Sequence, residues 1–293
     1  MKDFSFWEEY EGMPEGSGRS EKIWLQNPDT GQIGLFKFKK DEGTTDHVSE
    51  CLAYQLAQLL GISCAKFELG LYDGREGSMS YNIVEQPSQI LIEGVNFITI
   101  AYPEYNTERF IDEKTQHRYS IEMIKTAIEK FVPLDGCLKM LIFDYLIGNS
   151  DRHQNNWAII FEENERYWSP LYDNSSSLCA YIAENQIESY LGKDKNRWKA
   201  LVDTKSRSMI RCTTSEEKRP THLTVLKYLK KNYYSETYEF VRNVISLMTE
   251  EHINAILNQY AEIELSSNKK KLICKFLFSK VQMMREIYFG EED

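Results

Sequence analysis

The sequence predicts an α+β fold: a small β-rich N-terminal part holding one helix, followed by a larger, mostly helical C-terminal part. Three observations carry this expectation. Apolar and polar residues alternate at 22–26, 36–38, 67–72 and 80–84, the period of half-buried strands. Residues 47–60 interrupt that series with Val48, Leu52, Leu56, Leu59 and Leu60 on one helical stripe, and Gly61 follows at the expected stop. Beyond residue 120 helical patterns dominate, broken by one pair of strands at 157–161 and 166–169.

Composition sets the bounds. The 293 residues are 42% hydrophobic and 27% charged with 15 Gly and 7 Pro, which describes a folded chain long enough to bury a real core. A formal net charge of −10 argues against broad nucleic-acid binding, which needs a cationic face, although a local basic patch stays open. The N-terminus, MKDFSFWEEYEG, lacks the apolar core of a signal peptide. The most apolar run, 138–147, is too short to span a bilayer and is interrupted by Lys139 and Asp144. Six cysteines without a CxxC pair suggest neither a zinc site nor a disulfide framework. A cytoplasmic protein without membrane insertion is expected.

Taken in order, the chain first offers a glycine-bearing stretch, GSGRSEK at 16–22, leading into a hairpin whose turn is 27–31 and whose second strand carries Lys37. Glu50 lies on the first turns of the following helix, off its apolar stripe. A strand lysine held by a glutamate from the next helix is an arrangement used to grip nucleotide phosphates. After the strands at 67–72 and 80–84, Glu85-Gln86-Pro87 breaks the pattern as a chain crossing between two lobes would, dividing the sequence into 1–86 and 87–293. Residues 88–119 give no clear pattern, and 102–116 read as a polar, partly irregular insertion. Amphipathic helices are predicted at 120–131 and 134–147, the second ending at Gly148. The polar stretch 174–221 reads as a connector that shapes a substrate entrance. Helices follow at 222–232, 236–248, 250–260 and 267–287, with Lys269, Lys270 and Lys271 as a solvated face.

The chemistry concentrates between Ile142 and Asp173. Gly148 delivers the chain into a loop, 149–156, carrying Asp151 and Asn156, and the hairpin returns it to a second loop, 170–175, carrying Asp173. A carboxylate just after a helix can accept a hydroxyl proton, as Asp151 would. An amide oxygen at Asn156 and a carboxylate at Asp173 can share a hard cation such as magnesium. Each residue alone is a common turn former. Together with Lys37 and Glu50 they form a layout for phosphoryl transfer. His47, His117, His153, His222 and His252 show no metal-ligand spacing.

IGNSDRHQNNWAI followed by PLYDNSSSL resembles the HipA-type kinases, whose signature is a hydrophobic helix, G-N-x-D-R-H-x-x-N, and then P-L-Y-D. GSGRSEK is similar to their phosphate loop, LFKF to their lysine strand and SECLAYQLAQLLGI to their glutamate helix. The resemblance runs from about residue 14 to the end and suggests a short, stand-alone branch without the family's N-terminal subdomain. It implies a two-lobed, protein-kinase-like fold akin to that of the phosphoinositide kinases, using ATP and magnesium to phosphorylate serine or threonine of a protein. Asp151 would be the base, Asn156 and Asp173 the metal ligands, Lys37 and Glu50 the phosphate-gripping pair. Gly16, Ser17, Gly18 and Lys22 would form the phosphate loop, with Val84 and Glu85 at the nucleotide. Ser17 and Ser20 are candidate autophosphorylation sites, and a toxin-like role with an antitoxin or other regulatory partner is expected. A small-molecule or lipid-headgroup kinase, or a silent kinase-fold binding module, are the alternative readings.

Overall fold

In the computed structural model, which describes residues 1–12, 21–84 and 86–290, the N-terminal strands close into one curled sheet. Strands β1 (Lys2–Asp3), β2 (Glu8–Glu9), β3 (Lys22–Gln26) and β4 (Ile33–Phe38) precede helix α1 (Asp46–Leu59); β5 (Phe67–Tyr72) and β6 (Arg75–Tyr81) follow it. Their order is β1-β5-β6-β4-β3-β2, antiparallel except where β1 lies beside β5. Alternation along β4 buries Phe36 and Phe38 with Phe4, Trp7, Leu25 and Met79 on one face. Lys37 therefore turns to the opposite face, toward α1.

The return strand lies earlier than the 80–84 expected from alternation. Asp73 (φ 49°) and Gly74 (φ 75°) make a two-residue left-handed turn that pairs Tyr72 with Arg75. Gly77 and Ser78 weaken the apolar signal of β6, and space requires the glycine. A Cβ on Gly77 would stand 2.3 Å from the Lys37 carbonyl oxygen.

The stretch 88–119 holds β7 (Gln89–Glu93), α2 (Gly94–Ala101), β8 (Tyr105–Asn106) and β9 (Ile111–Asp112). Helices α3 (Ile121–Ile128) and α4 (Asp135–Ile147) lead to β10 (Ala158–Glu162) and β11 (Glu165–Trp168). β10 is the middle strand between β11 and β7, with Ile160 opposite both Tyr167 and Leu91. β7 thus finds its partner far along the chain, which is why no local pattern announces it.

α4 is not amphipathic as expected. From Met140 to Ile147 every residue is buried, because α7 (His222–Asn232), α8 (Tyr234–Leu247) and α10 (Ser267–Phe289) surround it. The connector 174–221 contains two short α-helices, α5 (Glu184–Leu191) and α6 (Lys195–Lys199), the second running on into a π-helical turn at Ala200–Thr204, and α9 (Glu250–Leu257) precedes α10. The lysine run at the start of α10 is not a uniformly solvated face. Lys269 is 2% exposed and donates to the carbonyl oxygens of Cys179 (2.8 Å) and Ile182 (2.6 Å), closing a turn whose carbonyls need a donor. No helix among the described residues is long and apolar enough to cross a membrane.

Candidate active site

β4, α1 and the loop after β11 converge on one ammonium group. Lys37 Nζ donates to Glu50 Oε1 at 3.2 Å and to Asp173 Oδ1 at 3.0 Å. Glu50, 1% exposed, accepts from the backbone N–H of Asn174 at 2.8 Å with its other oxygen, so one carboxylate ties the lysine strand to the Asp173 loop. Burial works against the charge on Lys37, but Asp173 and then Glu50 outweigh it and raise its proton affinity above that of an ordinary lysine. Burial likewise opposes ionisation of Asp173, and Lys37, then Arg152 and His153, hold its carboxyl below the usual range. Burial pushes the Glu50 carboxyl up, against the pull of Lys37. Asp173 sits at φ 55°, a left-handed conformation that Asp tolerates better than most residues. Its loop is pinned by Leu171, which donates to Ser63 O and accepts from Ala65 N–H.

The second half of the site hangs from α4. Gly148 at φ 69° ends the helix and turns the chain outward. Asp151 N–H donates to Asn149 Oδ1 at 3.1 Å, and Asn156 Nδ2 donates to Asp151 O at 2.7 Å. The amide nitrogen of Asn156 is thus committed to the Asp151 backbone, which leaves its oxygen suited to a cation. Asp151 keeps an exposed surface, yet desolvation by the surrounding protein raises the proton affinity of its carboxyl. His153 counters that effect, Asp173 adds to it, and Arg219 and Arg152 oppose it.

Arg152 clamps the two halves. Fully buried, it pairs with Asp144 of α4 (Nη2 to Oδ1 2.8 Å, Nε to Oδ2 3.0 Å). Its Nη1 donates to the carbonyls of Asn156 (2.8 Å) and Tyr172 (2.7 Å), and its Nη2 to Asn174 Oδ1 (2.6 Å). One guanidinium therefore holds Asn156 and both neighbours of Asp173. Sequence reasoning assigned no role to Arg152 or Asp144. The available signal was Asp144 inside the most apolar run of the sequence, where a buried charge needs a partner.

A buried polar chain supports the loop from behind. Lys280 Nζ donates to Ser206 Oγ (3.0 Å), Ser206 Oγ meets His222 Nδ1 (3.0 Å), and His222 Nε2 meets Asn149 O (2.8 Å). Burial, then the nearby Lys280, pushes the His222 imidazole down to about 3. The ring is therefore neutral, and its carbonyl partner assigns the proton to Nε2.

The other candidates are placed as follows. Lys22 lies directly across β3–β4 from Lys37, on the same face. Burial and then the Lys37 charge lower its proton affinity. Two ammonium groups set opposite each other favour an anion between them. Val84 has both its backbone N–H and C=O engaged by the Asn82 side chain, so a base could use them only by displacing that amide. Gly16, Ser17, Gly18, Ser20 and Glu85 lie outside the described residues.

A family model, the HipA-like C-terminal domain, matches residues 15–231. No curated protein matches the sequence. Among solved structures, the Helicobacter pylori proinflammatory kinase CtkA superposes with a TM-score of 0.81 at 17% identity, over 99% of each chain. HipA of Shewanella oneidensis MR-1, crystallised with HipB and its operator DNA, superposes with a TM-score of 0.60 at 11% identity, over 97% of this chain and 69% of that one.

Proposed function

The chain belongs to the HipA-like kinase family, and on that premise we propose that it is an ATP- and magnesium-dependent phosphotransferase acting on serine or threonine of a protein. The observation that carries the reading is Lys37, held between Glu50 and Asp173, with Arg152 tying the Asp173 loop to Asn156. Lys37 and Lys22 would bind phosphates of the nucleotide. Asn156 and Asp173 would hold magnesium, which when bound neutralises phosphate charge. Asp151 would orient the acceptor hydroxyl and take its proton onto the carboxylate as the hydroxyl oxygen bonds to the γ-phosphorus and the bond from that phosphorus to the β-phosphate oxygen breaks, releasing ADP.

In this reading residues 1–86 form the smaller lobe and 87–293 the larger, with Val84 and Glu85 at the crossing. Ser17 and Ser20, beside Gly16 and Gly18, would be autophosphorylated, adding negative charge where the nucleotide phosphates bind. A cytoplasmic site of action, a toxin-like role and a regulatory partner belong to the same proposal. They rest on the fold shared with HipA, which was crystallised bound to HipB.

The Asp151 environment sets the pH dependence. Its carboxyl is raised and the base must be ionised, so activity is retained above its pKa and lost as pH falls through it. The acid limb of kcat/KM is expected above the ordinary aspartate value of about 4. Arg219 favours the ionised form, so Arg219→Gln should move that limb to still higher pH. An acid limb at or below that of free aspartate, or one unmoved in the variant, would count against Asp151 as the base.

A further inference from the structure

One cluster on the acceptor side of Asp151 has no part in gripping the nucleotide. Arg219, from the end of the 174–221 connector, donates from Nη2 to Ser150 O at 2.6 Å and from Nε to Ser208 O at 3.1 Å. Arg207 Nη1 donates to Arg219 O at 2.6 Å. Arg211 runs alongside Ser120 in a parallel bridge, accepting from Ile121 N–H and donating its own N–H to Tyr119 O. Arg118 is fixed to the same turn, its N–H donating to Thr214 O at 2.9 Å. Arg219 thereby stands against the residue that precedes Asp151, Arg207 is bonded to Arg219, and Arg211 lies near enough to Arg118 and Arg219 for their charges to act on it.

No salt bridge among the described residues neutralises them. Among the described residues the arginines that form salt bridges are Arg75, Arg109, Arg152 and Arg242, and none of these four is among them. The nearby carboxylates accept backbone N–H groups, Glu216 from Cys212 and Glu122 from Thr214; Glu216 attracts Arg211 but forms no salt bridge with it. Arg211 Nε and the hydroxyl of Tyr105, a residue only 7% exposed, are buried without a hydrogen-bond partner. Burial, then the charges of Arg118 and Arg219, lowers the proton affinity of Arg211. Burial and Arg207 do the same to Arg219, against the pull of Asp151. Like charges held together with unsatisfied donors are costly unless an anion completes them.

We propose that Arg118, Arg207, Arg211 and Arg219 form an anion-binding subsite that selects a protein acceptor carrying carboxylates or a phosphoester beside the hydroxyl to be phosphorylated. The inference deepens the kinase reading above and rests on it for the identity of the bound segment as an acceptor. In a chain of net charge −10, a local basic patch also steers an acidic segment toward itself.

The test is fluorescence anisotropy with short fluorescein-labelled peptides bearing a central serine flanked by glutamates, phosphoserines, glutamines or lysines, and with a single-stranded RNA of matching charge. Glutamate- or phosphoserine-flanked peptides should bind at least about ten-fold more tightly than the glutamine-flanked one. The difference between those two arms identifies the preferred anion. Arg211→Gln, and Arg207→Gln at an exposed position should the first variant fail to fold, should bring that affinity down to the glutamine level. Equal binding of all peptides, a preference that survives both variants, or RNA binding above every peptide would overturn the subsite. Binding requires no turnover, so adding magnesium and γ-labelled ATP to the same mixtures tests the kinase reading separately. Selective binding without transfer would leave the anion subsite standing and remove its role in phosphorylation.

Discussion

Asp151→Asn is expected to lower phosphoryl transfer by about 10²–10⁴-fold while leaving ATP affinity nearly unchanged. The substitution keeps the shape and keeps the backbone contacts of the loop, since Asn149 and Asn156 hold Asp151 through its N–H and C=O rather than through its side chain. What it removes is the carboxylate proposed to accept the hydroxyl proton. Lys37, Glu50 and Asp173 form their own linked group, so nucleotide binding has no reason to fail. Steady-state kinetics beside calorimetric titration with ATP separates the two effects. A variant that turns over at the parent rate, or one that loses ATP binding in proportion to activity, would refute the assignment of Asp151.

The largest stability effect is expected at Asp144. Asp144→Ala leaves the Arg152 guanidinium, 1% exposed, without its carboxylate inside the protein, which costs about 3–5 kcal/mol. Asp144→Asn, which keeps an acceptor near Nη2 and the amide of Asn149, should cost less. Because Arg152 also holds the carbonyls of Asn156 and Tyr172, the loss should be accompanied by a weaker response of ATP binding to magnesium. Chemical denaturation of both variants gives the first quantity, and magnesium titrations at a fixed ATP concentration give the second. Stability within error of the parent would mean that the buried pair does not organise the site.

Much of this site was legible because its residues lie in short, locally patterned stretches. The helix ending at Gly148, the loop to Asn156, the hairpin and Asp173 follow one another along the chain, and Lys37 and Glu50 occupy consecutive elements. Their meeting at 3.0–3.2 Å depends on alternation in β4, which a period-2 pattern reveals. Illegible were the features decided by distant partners. β7 is a strand because β10 pairs with it, and α4 is buried all round because helices from the far end of the chain enclose it. Lys269 and Lys280 look like surface lysines in sequence, yet their ammonium groups are held by Cys179, Ile182 and Ser206 across long loops. Glu50 shows the same limit from the other side. Its pairing with Lys37 was expected from the order of the elements, but its burial under the Asp173 loop was not.

The most direct test of the central claim is incubation of the purified chain with γ-labelled ATP, with and without magnesium, alone and in a cell extract, followed by mass spectrometry of the labelled species. The account predicts magnesium-dependent label on serine or threonine side chains, either of the chain itself or of a protein acceptor. ATP binding with no label on any protein, or label confined to free phosphate, lipids or other small molecules, would contradict it.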